Sequence, residues 1–465
     1  MTPEPRVAIC SYFQKALLPV DIRTIINDTR MSGYQWLIIA IAAFLNALDG
    51  YDLVAMAFSA NAVTEEFGLS ASQLGWLLSA ALLGIGVGAV LLAPLADKLG
   101  RRKIILTALS IDLLGLLMTA TADSFTELML WRLVTGIGVG GILSAVTVLV
   151  SEYSNLRFRG LAMSIYSAGY GLGASLCGVL AAQLIPDHGW EAVFLTGAAL
   201  TAASIVLTWI FVPESADFHV AHGQQDKIAS LAARLGKTES LSPVASAPDS
   251  GKAPLSAIFS SRFLAATIKI WIAFSLINFA FNFANQWTPR LLTESGLSAQ
   301  QGIVGGIMLS FGGTIGSLLY GALTTRVDAR KLLVFFSFGS TVVLVGFIGA
   351  TSLPTLMFLF GVAVGMLLNG CITGLYTITP AAYPSTVRAT GVGAAIGVSR
   401  LGAVLAPIVI GYLNEGGWSP VALYTLAAVI VAAAGIVLMA LRLNPERTVT
   451  QVERAAEPEK QISAR

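Results

Sequence analysis

The stretch VLLAPLADKLGRRKIILTAL, residues 90 to 109, packs five charged residues into seven positions between two strongly apolar flanks. Apolar runs of the roughly twenty residues that a bilayer needs begin near residue 72 upstream and near residue 103 downstream. Two such runs joined by a short basic turn read as a membrane hairpin. Its turn stays on the side that retains Lys and Arg.

Composition agrees. The chain of 465 residues is 55% hydrophobic and only 12% charged, where a soluble domain carries roughly 25%. A net charge of +2 gives no basic excess for nucleic acid. The widely spaced Cys10, Cys177 and Cys371 suggest neither disulfides nor a zinc site, and no metal or cofactor is expected. His188, His219 and His222 fall in expected loops and read as solvated.

Working outward from the hairpin, runs of spanning length begin near residues 36, 72, 103, 126, 160 and 191, then near 264, 301, 331, 354, 391 and 420. The fold class is therefore all-α and polytopic, twelve transmembrane helices in two six-helix halves. Expected boundaries are an N-terminal segment 1–35, a first half 36–212, a central loop 213–262, a second half 263–442 and a tail 443–465. Within the loop, Ile228, Leu231, Ala232 and Leu235 at helical spacing predict a short surface helix. Of the 28 Lys and Arg, 25 lie on one side, Arg132 and Arg400 lie within apolar runs, and Arg290 lies opposite. That bias makes both termini and the central loop cytoplasmic.

The halves repeat. At an offset of 228 residues FGLSASQLG (67–75) falls on SGLSAQQGI (295–303), ELMLWRL (127–133) on TLMFLFG (355–361), and ADKLGRRK (96–103) on TTRVDARK (324–331). Parallel six-helix repeats make rocker-type transporters, with the substrate expected between the halves near the midplane. The same offset places Asp49 and Asp52 on Ile277 and Ala280, and Arg132 on Phe360, so the first half holds charges its twin lacks. Intramembrane charge is costly and by default functional. For Arg132 the alternative is a pair that only locks helices.

APLADKLGRRK (93–103) resembles the loop signature of the major facilitator superfamily, with Ala93 in place of its first Gly, and WRLVTGIGVGG (131–141) is similar to that superfamily's fourth-helix pattern. DGYD (49–52) resembles the first-helix motif of the aromatic acid:proton symporter family. Asp97, Arg132, Glu152, Asp328, Arg388 and Arg400 match that family's charged set. The resemblance implies the major facilitator fold and import of a benzoate- or hydroxybenzoate-like acid with protons. It makes Asp49 and Asp52 proton-coupling residues, with Arg132 and Glu152 beside them, and Arg400 a partner for the substrate. It further implies a monomer in a bacterial inner membrane.

Physics supports those roles independently. Asp49 and Asp52 stand one helical turn apart, and two neighbouring carboxylates in a low-dielectric cleft cannot both ionise cheaply. Gly50 between them serves either a bend or close packing. The planar fork of Arg400 suits a carboxylate; its alternative partners are Asp49 or Asp52 across the cleft. Asn278, Asn282 and Gln286 recur every four residues beside Phe279 and Phe283, and Tyr166 and Tyr170 form a similar pair. These suit an aromatic ring with a few hydrogen bonds, or ordinary core packing. Asp97, Arg101, Arg102, Arg157, Asp328 and Arg388 flank the cytoplasmic ends and are gating candidates. Glu152 is either part of that gate or a proton exit.

Export on the same fold is the rival reading. The fifth helix, GLAMSIYSAGYGLGASLCG (160–178), has an antiporter's glycine spacing but carries Ala174 and Cys177 where that pattern has Pro and Gly. No phosphate-binding loop supports ATP drive, and GIGVGG (136–141) reads as helix packing. The termini and central loop are too short for a catalytic domain, so no enzyme is expected.

Overall fold

Ser70 and Ser298 open their helices by one device. In the computed structural model each hydroxyl accepts from the backbone N–H of a glutamine three residues on, Gln73 or Gln301, and each glutamine side chain accepts from the serine N–H. The reciprocal cap satisfies two donors that a helix start leaves orphaned. It recurs at the 228-residue offset seen in the sequence.

The structure describes residues 26–27, 30–222, 224–235, 255–261, 263–350, 353–384 and 387–441. Residues 1–25, among them Cys10, the tail 442–465 and the side chain of Asp97 lie outside the described residues. The first long helices are α1 (Gly33–Phe67), α2 (Ala71–Leu99), α3 (Arg101–Thr119), α4 (Phe125–Tyr153), α5 (Arg159–His188) and α6 (Glu191–Phe211). They are followed by α7 (Leu264–Glu294), α8 (Ala299–Leu323), α9 (Ala329–Gly349), α10 (Pro354–Ile378), α11 (Arg388–Glu415) and α12 (Pro420–Met439).

Eleven of these twelve are long and apolar enough to cross a membrane. The exception is α3: each 18-residue window of its 19 residues holds Arg102, Lys103 and Asp112. Its partners make up the difference, because α3 lies against α4 and α6.

The chain separates into two compact units, Met1–Asp249 and Ser250–Arg465. In the first, α1 packs on α5, α2 and α3 on α4, and α3 on α6. In the second, α7 packs on α11, α8 and α9 on α10, and α9 on α12. The pairing is the same, shifted by six helices.

Backbone approach explains one crossing in each unit. A Cβ on Gly84 of α2 would stand 2.2 Å from the carbonyl oxygen of Leu133, and one on the equivalent Gly312 of α8 2.0 Å from that of Val362. Small residues let membrane helices meet this closely. The glycines of GIGVGG act likewise, Gly136 against Ala81 and Gly140 against Ile85. Gly84→Val and Gly312→Val are each expected to cost about 3 kcal/mol. Thermal unfolding in detergent checks this, and an unchanged midpoint would refute the tight crossing.

Two short helices, Ala216–Ala221 and Gln225–Arg234, follow α6. The second is the helix expected from spacing, but its apolar side is not free: Leu231 and Leu235 are buried in the core of the first unit with Ile26. His219, expected on a solvated loop, is buried in the first short helix, where its Nδ1 lies 2.9 Å from Gln224 Oε1. His188 is the last residue of α5.

Candidate functional site

A continuous helix carries DGYD, so its four side chains leave α1 in different directions. Asp49 and Asp52 are both buried. Tyr51 turns to α6 and donates to the Val193 carbonyl at 2.7 Å. Gly50 faces α5, where a Cβ would stand 2.0 Å from the Tyr170 carbonyl oxygen. Of the two readings for Gly50, close approach is what the geometry gives.

Arg132 of α4, 1% exposed, reaches α1. Its Nη1 donates to Asp52 Oδ1 at 2.6 Å and its Nη2 to the Asp52 carbonyl at 2.9 Å. The guanidinium carbon lies 5.6 Å from the centroid of the Phe194 ring, which adds a cation–π attraction. A buried pair of this kind repays its desolvation only with good geometry. Two hydrogen bonds to one residue supply it.

Sequence reasoning missed a third acid. Asp112 of α3 is 3% exposed. Its Oδ2 accepts from Thr201 Oγ1 of α6 at 3.1 Å, while its Oδ1 is buried with no hydrogen-bond partner among the described residues. The charges of Asp52, Arg132 and Asp49 all act on it. The signal was present: Asp112, with Arg102 and Lys103, keeps α3 from the apolar pattern of its eleven companions.

A second cluster gathers where α3 begins. Arg101 Nη1 stands 2.5 Å from Glu152 Oε1, and Ser215 Oγ donates to Glu152 Oε2 at 2.7 Å. Asp217 acts on the same carboxyl. Glu214, which sequence reasoning also passed over, caps α3 from outside it: its Oε1 accepts from the backbone N–H groups of Arg102 and Ser215, each at 3.0 Å. The preceding residue is Gly100 with φ 103, which a side chain tolerates poorly, and a Cβ there would meet Glu214 Oε2 at 2.3 Å. Arg102 donates to the Trp209 carbonyl at the end of α6. Arg157 stands apart, exposed over the Phe158 ring at 5.4 Å. Its neighbour Arg159 is the one held, donating to Asn27 Oδ1 at 2.9 Å.

The second unit repeats the end but not the centre. Asp328, equivalent to Gly100, caps α9 itself by accepting from the Lys331 N–H at 2.9 Å. Arg330, equivalent to Arg102, donates to the Leu438 and Met439 carbonyls at the end of α12. Arg388 donates to the Tyr383 carbonyl at 3.4 Å. Asp328→Ala is expected to cost about 1 kcal/mol and Asp328→Asn almost nothing, since an amide oxygen also caps. Comparing their unfolding midpoints tests whether the charge itself is needed for stability.

The remaining candidates line α5, α7 and α11. The Tyr166 hydroxyl lies 3.2 Å from Thr147 Oγ1, and its carbonyl accepts from Asn46 at 2.8 Å. Tyr170 is half-buried. Asn282 donates to the Asn278 carbonyl at 2.9 Å, within its own helix. Gln286, one turn on and 1% exposed, has neither amide atom hydrogen-bonded among the described residues. Arg400 is half-buried and makes no ion pair or hydrogen bond among the described residues.

Comparison with known proteins places this arrangement. The profile of the Major Facilitator Superfamily matches residues 39–348 and 296–464. The chain is 32% identical to the gallate transporter of Pseudomonas putida over 92% of its own length and 98% of that protein. It is 31% identical to a 4-hydroxybenzoate transporter of Acinetobacter baylyi, over 90% and 93%. Among solved structures, the xylose transporter of E. coli in an inward open conformation superposes with a TM-score of 0.71 at 15% identity, covering 90% of this chain and 99% of that one. At that identity the likeness is one of fold.

Proposed function

Because this chain belongs to the major facilitator superfamily, among its aromatic acid transporters, we propose that it imports a small aromatic carboxylate together with a proton by alternating access. The observation that carries the proton is the buried pair of Asp52 and Arg132. A proton landing on Asp52 cancels its charge and frees Arg132, so the pair has two arrangements that differ by one proton. Asp49, buried one turn away, belongs to the same proton-coupling set. A membrane helix pair needing only to hold together would do so more cheaply without charges.

Arg400 supplies the partner for the substrate's carboxylate. Its planar fork matches two carboxylate oxygens, and among the described residues it has no ion pair or hydrogen bond that would occupy it. The unpartnered amide of Gln286 suits a ring hydroxyl, a donor and acceptor at once. Asn278, Asn282, Tyr166 and Tyr170 supply further polar and aromatic wall. The Arg101–Glu152 cluster, with Arg102, and the mirrored Asp328, Arg330 and Arg388 belong to a gate on the cytoplasmic side, to which Asp97 and Arg157 also contribute. Both termini lie on that side, in a bacterial inner membrane, and the protein works as a monomer.

Energetics favour coupling. Moving a monoanion into a negative cell costs about 2.3 kcal/mol per 100 mV, and one accompanying proton cancels it. The test is uptake of labelled benzoate, 4-hydroxybenzoate, gallate and a non-aromatic acid by cells expressing wild type or Asp49→Asn, with and without an inward pH gradient. Accumulation of an aromatic acid that needs the gradient and is lost in the variant is the expected result. Label retained better once the gradient collapses would instead mean export, and no aromatic acid moving at all would sink the substrate assignment.

A further inference from the structure

The first unit buries three carboxyls, Asp49, Asp52 and Asp112, and one guanidinium, Arg132, which is paired with Asp52 and whose charge also acts on Asp112. We propose that Asp112 is a second proton-carrying residue of the transport cycle, trading its proton with Asp52 while Arg132 follows the negative charge. The inference rests on the proton-coupled reading above.

In the arrangement seen, both terminal nitrogens of Arg132 serve Asp52. Asp112 has one oxygen on Thr201 and the other buried with no partner among the described residues. An ionised carboxylate so placed would carry an unsolvated charge, which costs several kcal/mol. In the proposed cycle this is the arrangement in which Asp112 carries the proton. In the exchanged arrangement the O–H bond of Asp112 breaks and one forms at Asp52. The guanidinium then leaves Asp52 for Asp112, and the charge of the cluster is unchanged.

Asp112 is hydrogen-bonded by the hydroxyl of Thr201 from α6, and the charges of Asp49 and Asp52 from α1 and of Arg132 from α4 act on it. Packing brings them together. Gly138 lets α4 touch α3 at this point, since a Cβ there would stand 2.7 Å from the Asp112 nitrogen. Gly138 is six residues beyond Arg132, so the Asp112 backbone lies about 9 Å along α4 toward Glu152.

Asp112→Asn tests the idea, because the amide keeps the shape and neutrality of the protonated acid. In the purified wild-type protein at neutral pH, the infrared carbonyl band of a buried protonated carboxyl is expected. It is lost in Asp112→Asn and kept in Asp123→Asn, a change at an exposed acid. In vesicles, Asp112→Asn should accumulate substrate at least about tenfold less under a pH gradient, while exchanging labelled for unlabelled substrate at the wild-type rate. Asp112→Glu should restore accumulation. An infrared spectrum unchanged by Asp112→Asn, gradient-driven accumulation at the wild-type level, or equal loss of accumulation and exchange in folded protein would each overturn the proposal. Wild type that exchanges substrate but never accumulates it would defeat the proton-coupled reading, and the infrared band would still decide on Asp112.

Discussion

Asp52→Asn is expected to abolish gradient-driven accumulation and to cost about 3 kcal/mol of stability, because Arg132 loses the carboxylate it is paired with here. Arg132→Gln should do the same from the other side. The double variant Asp52→Asn with Arg132→Gln separates the two effects. With both charges gone no desolvation penalty remains, so the two stability losses should largely cancel in the combination. Accumulation should stay absent, since no carboxyl at that position can take the proton. Midpoints of thermal unfolding beside uptake under a pH gradient read the two outcomes. A double variant that both unfolds early and fails to transport would mean that residue shape, not charge, matters at this crossing.

Arg400→Gln is expected to act in the opposite manner, weakening substrate binding without weakening the fold. A charge-assisted hydrogen bond contributes about 1.5 to 3 kcal/mol, so the half-saturating concentration for the acid should rise by roughly tenfold to a hundredfold. Arg400→Lys should recover only part of this, since an ammonium lacks the fork. Stability should stay near wild type because Arg400 has no protein partner to strand among the described residues. Substrate exchange in vesicles gives the constant. A variant with unchanged half-saturation would remove Arg400 from the site. A variant that unfolds early would point to a structural contact.

The two membrane arginines differ in their partners among the described residues, Arg132 paired with Asp52 and Arg400 in no ion pair, and that difference was only partly legible in the sequence. Arg132 and Arg400 were both visible as charges in apolar runs, and the missing counterparts at Phe360 and elsewhere in the second half marked the first half as special. Which carboxylate holds Arg132 was not legible, because Asp49 and Asp52 are equally spaced candidates and only the rotation of α1 against α4 chooses between them. Tyr51 and Gly50 are the residues that fix that rotation, one tied to α6 and the other pressed on α5.

The omissions have the same cause. Glu214 lies 112 residues from the N–H it caps, and Asp112 lies 89 residues from the threonine that bonds it. Neither link leaves a local pattern. Asp328 shows the converse. Its equivalent in the first unit is a glycine, so a charge that looked like half of a gate also serves as the cap that Glu214 supplies from a distance in the other unit.

Sequence alone determined the twelve long helices, their starts to within three residues, the two-fold repeat at 228 residues and the transporter family, because bilayer thickness sets run length and duplication keeps its register. Tertiary structure decided which buried charges are satisfied. Burial makes each unpaired polar atom costly, and whether an atom is paired depends on helices that meet only once the chain has folded.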